Sequence, residues 1–292
     1  MPAHDGPDRS GPVGRLDRVN DLTTTRSPVY VNGKPATAAD LAPLALYNYG
    51  CFTSMLVTAD GVRGLSLHLD RLRHDSTALF GTEVDTDTVR TLVKEALPEY
   101  PTPSPVVVRV TLFQRGLDMG HPTSTTAPDI LVTFRPAPSK PLPPLRVTIA
   151  AYERDEPGVK SVGLLGQLQQ RRAAQARGFD DVLFRDPSGH ISEGATWNIA
   201  FVRGTDIVLP EAEVLPGTAV RLLRKTLADH GFTVRTAPVP ADELGTYDAA
   251  FATNAVIGVR PVAAIDGTAL LPSDELTQTL RACWSAVPFE AL

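Results

Sequence analysis

Ten residues near the middle of the chain, Arg135–Pro144 (RPAPSKPLPP), contain five prolines. Proline has no amide donor and a fixed φ, so neither a helix nor a central strand can run through such a stretch. It reads as a linker, and it divides the chain into an N-terminal unit over residues 28–134 and a larger C-terminal unit over residues 145–292. In both, short apolar runs suited to strands alternate with segments of helical period, which predicts two α/β units. Residues 1–27 are rich in Pro, Gly, Asp and Arg without apolar periodicity and read as a disordered arm.

The linker can separate two real units because 292 residues at 42% hydrophobic composition suffice for two medium cores. A net charge of −5, with Lys and Arg gathered on no one element, argues against a nucleic-acid surface. No apolar run approaches the ~20 residues of a membrane-spanning helix, and the N-terminus lacks the apolar stretch of a signal peptide. Cys51 and Cys283 form neither a metal spacing nor a disulfide framework. The expectation is a soluble cytoplasmic protein holding no metal.

In the first unit, Val29-Tyr30-Val31 followed by Asn32-Gly33 predicts a strand and a tight hairpin turn. Leu46–Val57 reads as a strand of the N-terminal sheet. A helix follows from His68, with Leu69, Leu72, Ser76, Leu79 and Phe80 on one face and Arg71 beside that face. Asp85–Leu97 has helical spacing of Val89, Leu92, Val93 and Ala96. Val106–Phe113 and Asp129–Phe134 read as partner strands. In the second unit, the strand Leu145–Ala151 precedes a helix through Leu168–Ala176 capped by Gly178. A helix after Leu215-Pro216-Gly217-Thr218-Ala219 stops at Gly231, and its free N–H groups make a natural phosphate cradle. Ala249–Thr253 is a strand, and Ser273 caps a last helix to about Ala286.

The chemistry-bearing residues lie in the second unit. Gly178–Pro216 holds two apolar runs, VLFRD and WNIAFV, separated by Pro187-Ser188-Gly189 and Ile191-Ser192-Glu193-Gly194. Lys160 is the only lysine between Lys140 and Lys225. A lone Lys and a lone Glu in otherwise apolar segments suggest an amine nucleophile and a carboxylate that holds a heterocyclic nitrogen.

These residues fall in a recognisable order. Lys160-Ser161-x-x-Leu164-Leu165-Gly166, Arg177–Asp181, Ile191-Ser192-Glu193-Gly194-Ala195-x-x-Asn198 and Leu215-Pro216-Gly217 resemble the class IV aminotransferases. That family comprises the fold-type IV pyridoxal-phosphate enzymes, among them branched-chain and D-amino-acid aminotransferases and aminodeoxychorismate lyase. The resemblance runs from about Tyr30 to Val262. It implies two α/β domains with pyridoxal 5'-phosphate between them, in a homodimer whose partner completes the pocket. It implies that Lys160 forms the Schiff base and moves the proton, and that Glu193 meets the ring nitrogen. Arg71 (in His-x-x-Arg-Leu), the turn at Thr218-Ala219 and the turn at Asn254-Ala255 would hold the phosphate, while His68 reads as structural. Tyr49, Phe52, Thr53, Arg115, His121 and Trp197 are the candidate substrate-pocket residues.

Subfamily signals are mixed. Branched-chain enzymes carry Tyr where this chain has Leu165, and Glu where it has Trp197. D-amino-acid enzymes carry a Tyr at Phe52 and differ in the Leu117–Pro122 loop. Gly50-Cys51-Phe52-Thr53 matches the lyases, but Gly163-Leu164-Leu165 and Tyr49 do not. Transfer of an amino group from an amino acid or amine to a keto acid or other carbonyl acceptor is the leading expectation. A lyase releasing pyruvate and 4-aminobenzoate from aminodeoxychorismate, and a non-catalytic binding protein on the same scaffold, are the alternatives.

Overall fold

The computed structural model describes residues 27–101, 105–123, 126–139 and 141–292, so residues 1–26 of the expected arm and Lys140 of the linker lie outside it. Alternation along the third strand decides the first layer. Cys51, Thr53, Met55 and Val57 point to one face and are buried, while Phe52, Ser54 and Leu56 point to the other. The first face packs on two helices, α2 (Leu65–Phe80) and α3 (Thr86–Ala96), through Leu69, Leu72, Val89 and Val93.

The strands before the Pro-rich segment are β1 (Val29–Val31), β2 (Lys34–Pro35), β3 (Cys51–Thr58), β4 (Gly61–Arg63), β5 (Val106–Phe113) and β6 (Asp129–Pro136). β5 pairs antiparallel with both β3 and β6, and Asn32 and Gly33 take the positive φ that the β1–β2 turn requires. Beyond the linker come β7 (Leu145–Ala151), β8 (Asp181–Arg185), β9 (Ile191–Gly194), β10 (Asn198–Arg203), β11 (Asp206–Pro210), β12 (Thr233–Ala237), β13 (Ala249–Asn254), β14 (Gly258–Ile265) and β15 (Thr268–Ala269). Their order is β12-β11-β10-β13-β14-β7-β8-β9, and β9 returns to pair β10 at Glu193↔Asn198. The sheet thus closes on itself around Val147, Leu183, Ile199, Phe201 and Val262. Its outer face carries α5 (Thr218–Asp229) and α6 (Asp274–Ser285), seated through Leu223, Leu227, Leu280 and Cys283. A short last strand, β16 (Phe289–Glu290), crosses back to pair β4 in the first sheet.

The structure departs from the expected elements in several places. Leu46 and Tyr47 are not strand residues: they end a helix, α1 (Ala38–Tyr47), started by a Thr37–Asp40 capping box. Asn48, at φ 49°, breaks the helix before β3 begins at Cys51. The Glu193 segment, expected as part of a connection, is the strand β9. The fourth helix, α4 (Leu165–Ala176), begins three residues earlier than its apolar period suggested, and Gly178 follows it at φ 86°. No helix among the described residues is long and apolar enough to cross a membrane.

Trp197, expected at the substrate pocket, is instead a core residue. It is 5% exposed, and its indole N–H donates to Asp181 at 2.9 Å. Asp181 also accepts two bonds from Arg171, at 2.9 and 2.8 Å. The indole lies so close to β9 that a Cβ on Gly194 would come within 2.1 Å of it, so the residue after Glu193 must be glycine. Trp197→Phe, which leaves the buried Asp181 short of one donor, is expected to lower stability by about 1–3 kcal/mol in urea unfolding. Unchanged unfolding with altered substrate preference would return Trp197 to the pocket.

Candidate active site

Lys160 follows β7 in sequence, yet its backbone is held by the first half of the chain. Its N–H donates to Asp75 Oδ2 on α2 at 2.9 Å, and its C=O accepts from Phe52 N–H on β3 at 2.9 Å. One residue on, Ser161 bridges Cys51, and Val162 N–H donates to Gly50 O at 3.0 Å. The amine is thereby set 4.9 Å from the centroid of the Phe52 ring. Burial lowers its pKa to about 7, reinforced by the positive charges of Arg71, Arg154 and Arg109 and opposed by Glu193. A neutral amine near pH 7 is the form that attacks a carbonyl.

Glu193 is 5% exposed, and β9 carries it next to the β10 strand. Burial raises its pKa, against which act the Arg154 guanidinium, a hydrogen bond from the backbone of Leu215, and Lys160. Arg154 Nη1 stands 3.6 Å from Glu193 Oε1, with both side chains largely buried. The Leu215 turn is itself fixed by Asn198, whose Nδ2 donates to Leu215 O at 3.0 Å. A Cβ on Gly217 would fall 1.8 Å from Asn198 Oδ1, so any side chain here would displace the amide that fixes the Leu215 turn.

Arg71 lies one turn before Asp75 on α2, half-buried, and donates to Pro216 O. Immediately beyond Pro216 begins α5, with Thr218 and Ala219 buried at its first turn. No side chain caps this helix start, and Thr218 Oγ1 is buried with no hydrogen-bond partner. An arginine, a helix N-terminus and an unsatisfied hydroxyl make a site for an anion with several acceptor oxygens. Asn254 turns its Oδ1 back onto the N–H groups of Val256 and Ile257, both at 3.0 Å, which shapes the turn containing Ala255.

Of the pocket candidates, Phe52 is the one whose side chain reaches Lys160. Its ring is also covered by Arg109, whose Cζ lies 3.6 Å from the centroid. Thr53, one residue on, points to the opposite face and bonds His68 Nδ1 at 2.6 Å. Tyr49 donates its hydroxyl to Leu79 O at 2.6 Å and packs edge-on against Phe80, away from the lysine. Arg115 is tied to Asp129 and Asp40 at the surface. His121 is 86% exposed and bonds Asp118. The structure brings neither to Lys160.

Three residues not expected from the sequence join the group: Asp75, Arg154 and Arg109. Asp75 and Arg109 left a visible mark, since each is a charge interrupting a buried pattern, on α2 and within VVVRVTLF respectively. Arg154 sits in an irregular connection and leaves none.

With this geometry in view, the comparisons with known proteins are informative. A branched-chain aminotransferase from Thermoproteus uzoniensis, solved with norvaline, superposes with a TM-score of 0.78 at 18% identity, covering 88% of this chain and 93% of that one. A fold IV-transaminase from Curtobacterium pusillum gives 0.74 at 23% identity over 90% and 98%. The architecture is therefore that of the fold-type IV pyridoxal-phosphate enzymes. The family model described as amino-transferase class IV matches residues 50–265, and the chain belongs to that family. Among curated proteins it resembles a mitochondrial branched-chain amino acid aminotransferase of Humulus lupulus, 32% identical over 134 residues, 42% of this chain and 34% of that protein. A Pseudomonas aeruginosa branched-chain-amino-acid aminotransferase is 31% identical over 91 residues, 31% of this chain and 30% of that one. The matched stretch thus spans about a third of these relatives' length.

The depressed basicity of Lys160 has a consequence for stability. Its folded pKa of about 7 lies below the ordinary 10.5, so between these values the unfolded chain binds the extra proton and stability rises with pH. Lys160→Met removes this contribution. In the cofactor-free protein the variant is expected to resist urea better than wild type near pH 6–7, with the advantage shrinking toward pH ~10. A difference independent of pH would mean that the amine is fully solvated.

Proposed function

We propose that the chain is a pyridoxal-phosphate-dependent transaminase. It would move an amino group between an amino acid or amine donor and a keto acid or other carbonyl acceptor. The observation that carries this reading is Lys160, its backbone clamped on both sides, in the same site as a buried Glu193, with an anion cradle beside them.

The residues present fit the cofactor. Arg71 and the first turn of α5, with its unsatisfied Thr218 hydroxyl, would take the phosphate, and the Asn254-Ala255 turn is the further candidate there. Glu193, shielded from water, would receive a ring N–H. When bound, pyridoxal phosphate supplies an electron sink for charge released at the substrate Cα. Another branched-chain amino acid aminotransferase of this fold, solved with pyridoxamine 5'-phosphate, superposes with a TM-score of 0.77 at 18% identity, which supports the same cofactor here.

Each protein group then has a stated task. Lys160 would hold the cofactor through its amine and, when that amine is free, would serve as the base that takes the substrate Cα proton and returns it. Burial raises the Glu193 pKa, and Arg154 and the Leu215 N–H act against that rise in favour of the carboxylate. Phe52 walls the site on the lysine side. Arg109 is the candidate for a substrate carboxylate. Burial lowers its pKa to about 10, aggravated by the charge of Arg135, and no carboxylate pairs with it among the described residues. A bound anion would relieve that cost.

A homodimer is part of the proposal. Leu46 at 72% exposure, Tyr47 at 40%, Leu165 at 72% and Leu168 at 50% lie on the two segments that flank the lysine loop, an apolar surface suited to a second copy. Light scattering reads this directly, and a monomer mass would remove it. The free, buried Cys51 and Cys283 accord with a reducing compartment such as the cytoplasm.

Mixing the cofactor-loaded protein with single amino donors, without acceptor, tests the activity. Stoichiometric keto product together with pyridoxamine phosphate is the expected result. Pyruvate and 4-aminobenzoate from aminodeoxychorismate would instead mark the lyase, and no reaction with a colourless protein would mark a binding protein. Arg109→Leu is expected to raise KM for carboxylate-bearing donors by about ten- to a hundredfold, and to leave amines lacking a carboxylate nearly unaffected.

A further inference from the structure

His68 is 1% exposed, and its Nε2 is buried without a hydrogen-bond partner. Its other nitrogen, Nδ1, is 2.6 Å from Thr53 Oγ1. An orphaned imidazole nitrogen in a core costs free energy unless a ligand completes it. The surroundings show which ligand. α2 crosses the start of α5 at two points: a Cβ on Gly64 would lie 2.7 Å from Leu222 Cδ1, and Arg71 donates to Pro216 O. His68 lies between Gly64 and Arg71 on α2, and Thr218 lies between Pro216 and Leu222 across from it. Thr218 Oγ1 is likewise buried and unpartnered. Two bare polar atoms therefore border the same helix contact, beside one arginine and one uncapped helix start.

We propose that His68 is a phosphate-binding residue: its neutral imidazole donates Nε2–H to the same anion that Arg71 and the first turn of α5 would hold, with the Thr53 hydroxyl donating to Nδ1 and so placing the ring proton on Nε2. The ring is held neutral because burial, Arg71 and Lys160 all disfavour its charged form, lowering its pKa to about 3. Its contribution is thus a directed hydrogen bond that does not vary with pH over the working range. Thr53 acts through His68 and has no part at the substrate. The inference rests on the cofactor reading above for the identity of the anion, but not for its existence.

The test compares three probes on the full chain: pyridoxal phosphate, pyridoxal and inorganic phosphate. His68→Leu is expected to weaken pyridoxal phosphate and inorganic phosphate by about ten- to a hundredfold while leaving pyridoxal binding unchanged. His68→Gln, which keeps an amide donor at Nε2, should recover much of the loss. Thr53→Val should fall between them by freeing the tautomer. Because His68→Leu can fail to fold, the wild type provides a second measurement. With ring-labelled histidine, inorganic phosphate should shift one protonated Nε2 resonance that does not titrate between about pH 5 and 9. Equal weakening of pyridoxal and pyridoxal phosphate, or an unmoved resonance on phosphate saturation, overturns the proposal. Inorganic phosphate binding that depends on His68, in a protein that binds neither pyridoxal compound, would uphold the donor and discard the transaminase.

Discussion

The peptide of Lys160 is gripped on both sides by residues far from it in sequence, its N–H by Asp75 and its C=O by the amide of Phe52. This pair of bonds joins the antiparallel sheet of the first half to the closed sheet of the second at the lysine of the proposed site. The amine's reach follows from it, because a four-carbon stem on a fixed backbone samples a small volume. The oligopeptide around Lys160 has no regular structure of its own and borrows rigidity from α2 and β3.

A second constraint is electrostatic. Arg71, Arg109 and Arg154 all act on Lys160 as like charges, and Glu193 opposes them. Such an excess is costly in the absence of ligand, and it lowers the proton affinity of the amine while raising the affinity for anions. The basicity of Lys160 and the positive potential around it are therefore set by the same arginines. Arg154 has the double part: it opposes protonation of Lys160 and at the same time favours the carboxylate form of Glu193.

Glycine placement records how closely the elements approach. Gly194 admits the Trp197 indole, and Gly217 admits the Asn198 amide that fixes the Leu215 turn. In both cases the glycine serves not a left-handed turn but a contact too short for a Cβ. Motif glycines beside Glu193 and Thr218 thus report packing, and through packing they fix the carboxylate and the helix start.

Much of the molecule was legible in order along the chain. Hydrophobic period and alternation located β5, β7, α3 and α6 nearly to the residue, since each buries one face whatever lies opposite. α1 escaped because it buries no residue and carries Pro43 inside, and β9 because four residues are too few to show a period. Lys160, Glu193 and Arg71 stood out as charges in apolar settings or in motif order. Residue type does not reveal direction, so the positions of Tyr49, Trp197, Arg115 and His121 within the fold were not legible: Tyr49 and Trp197 satisfy their polar atoms in the core, and Arg115 and His121 theirs at the surface. By itself the sequence located most of the elements and marked Lys160, Glu193 and Arg71 as candidates, because both readings depend on local pattern. Only the tertiary structure brought Asp75, Arg154, Arg109 and His68 to the surroundings of Lys160, because hydrogen bonds and charges act across space with no period along the chain.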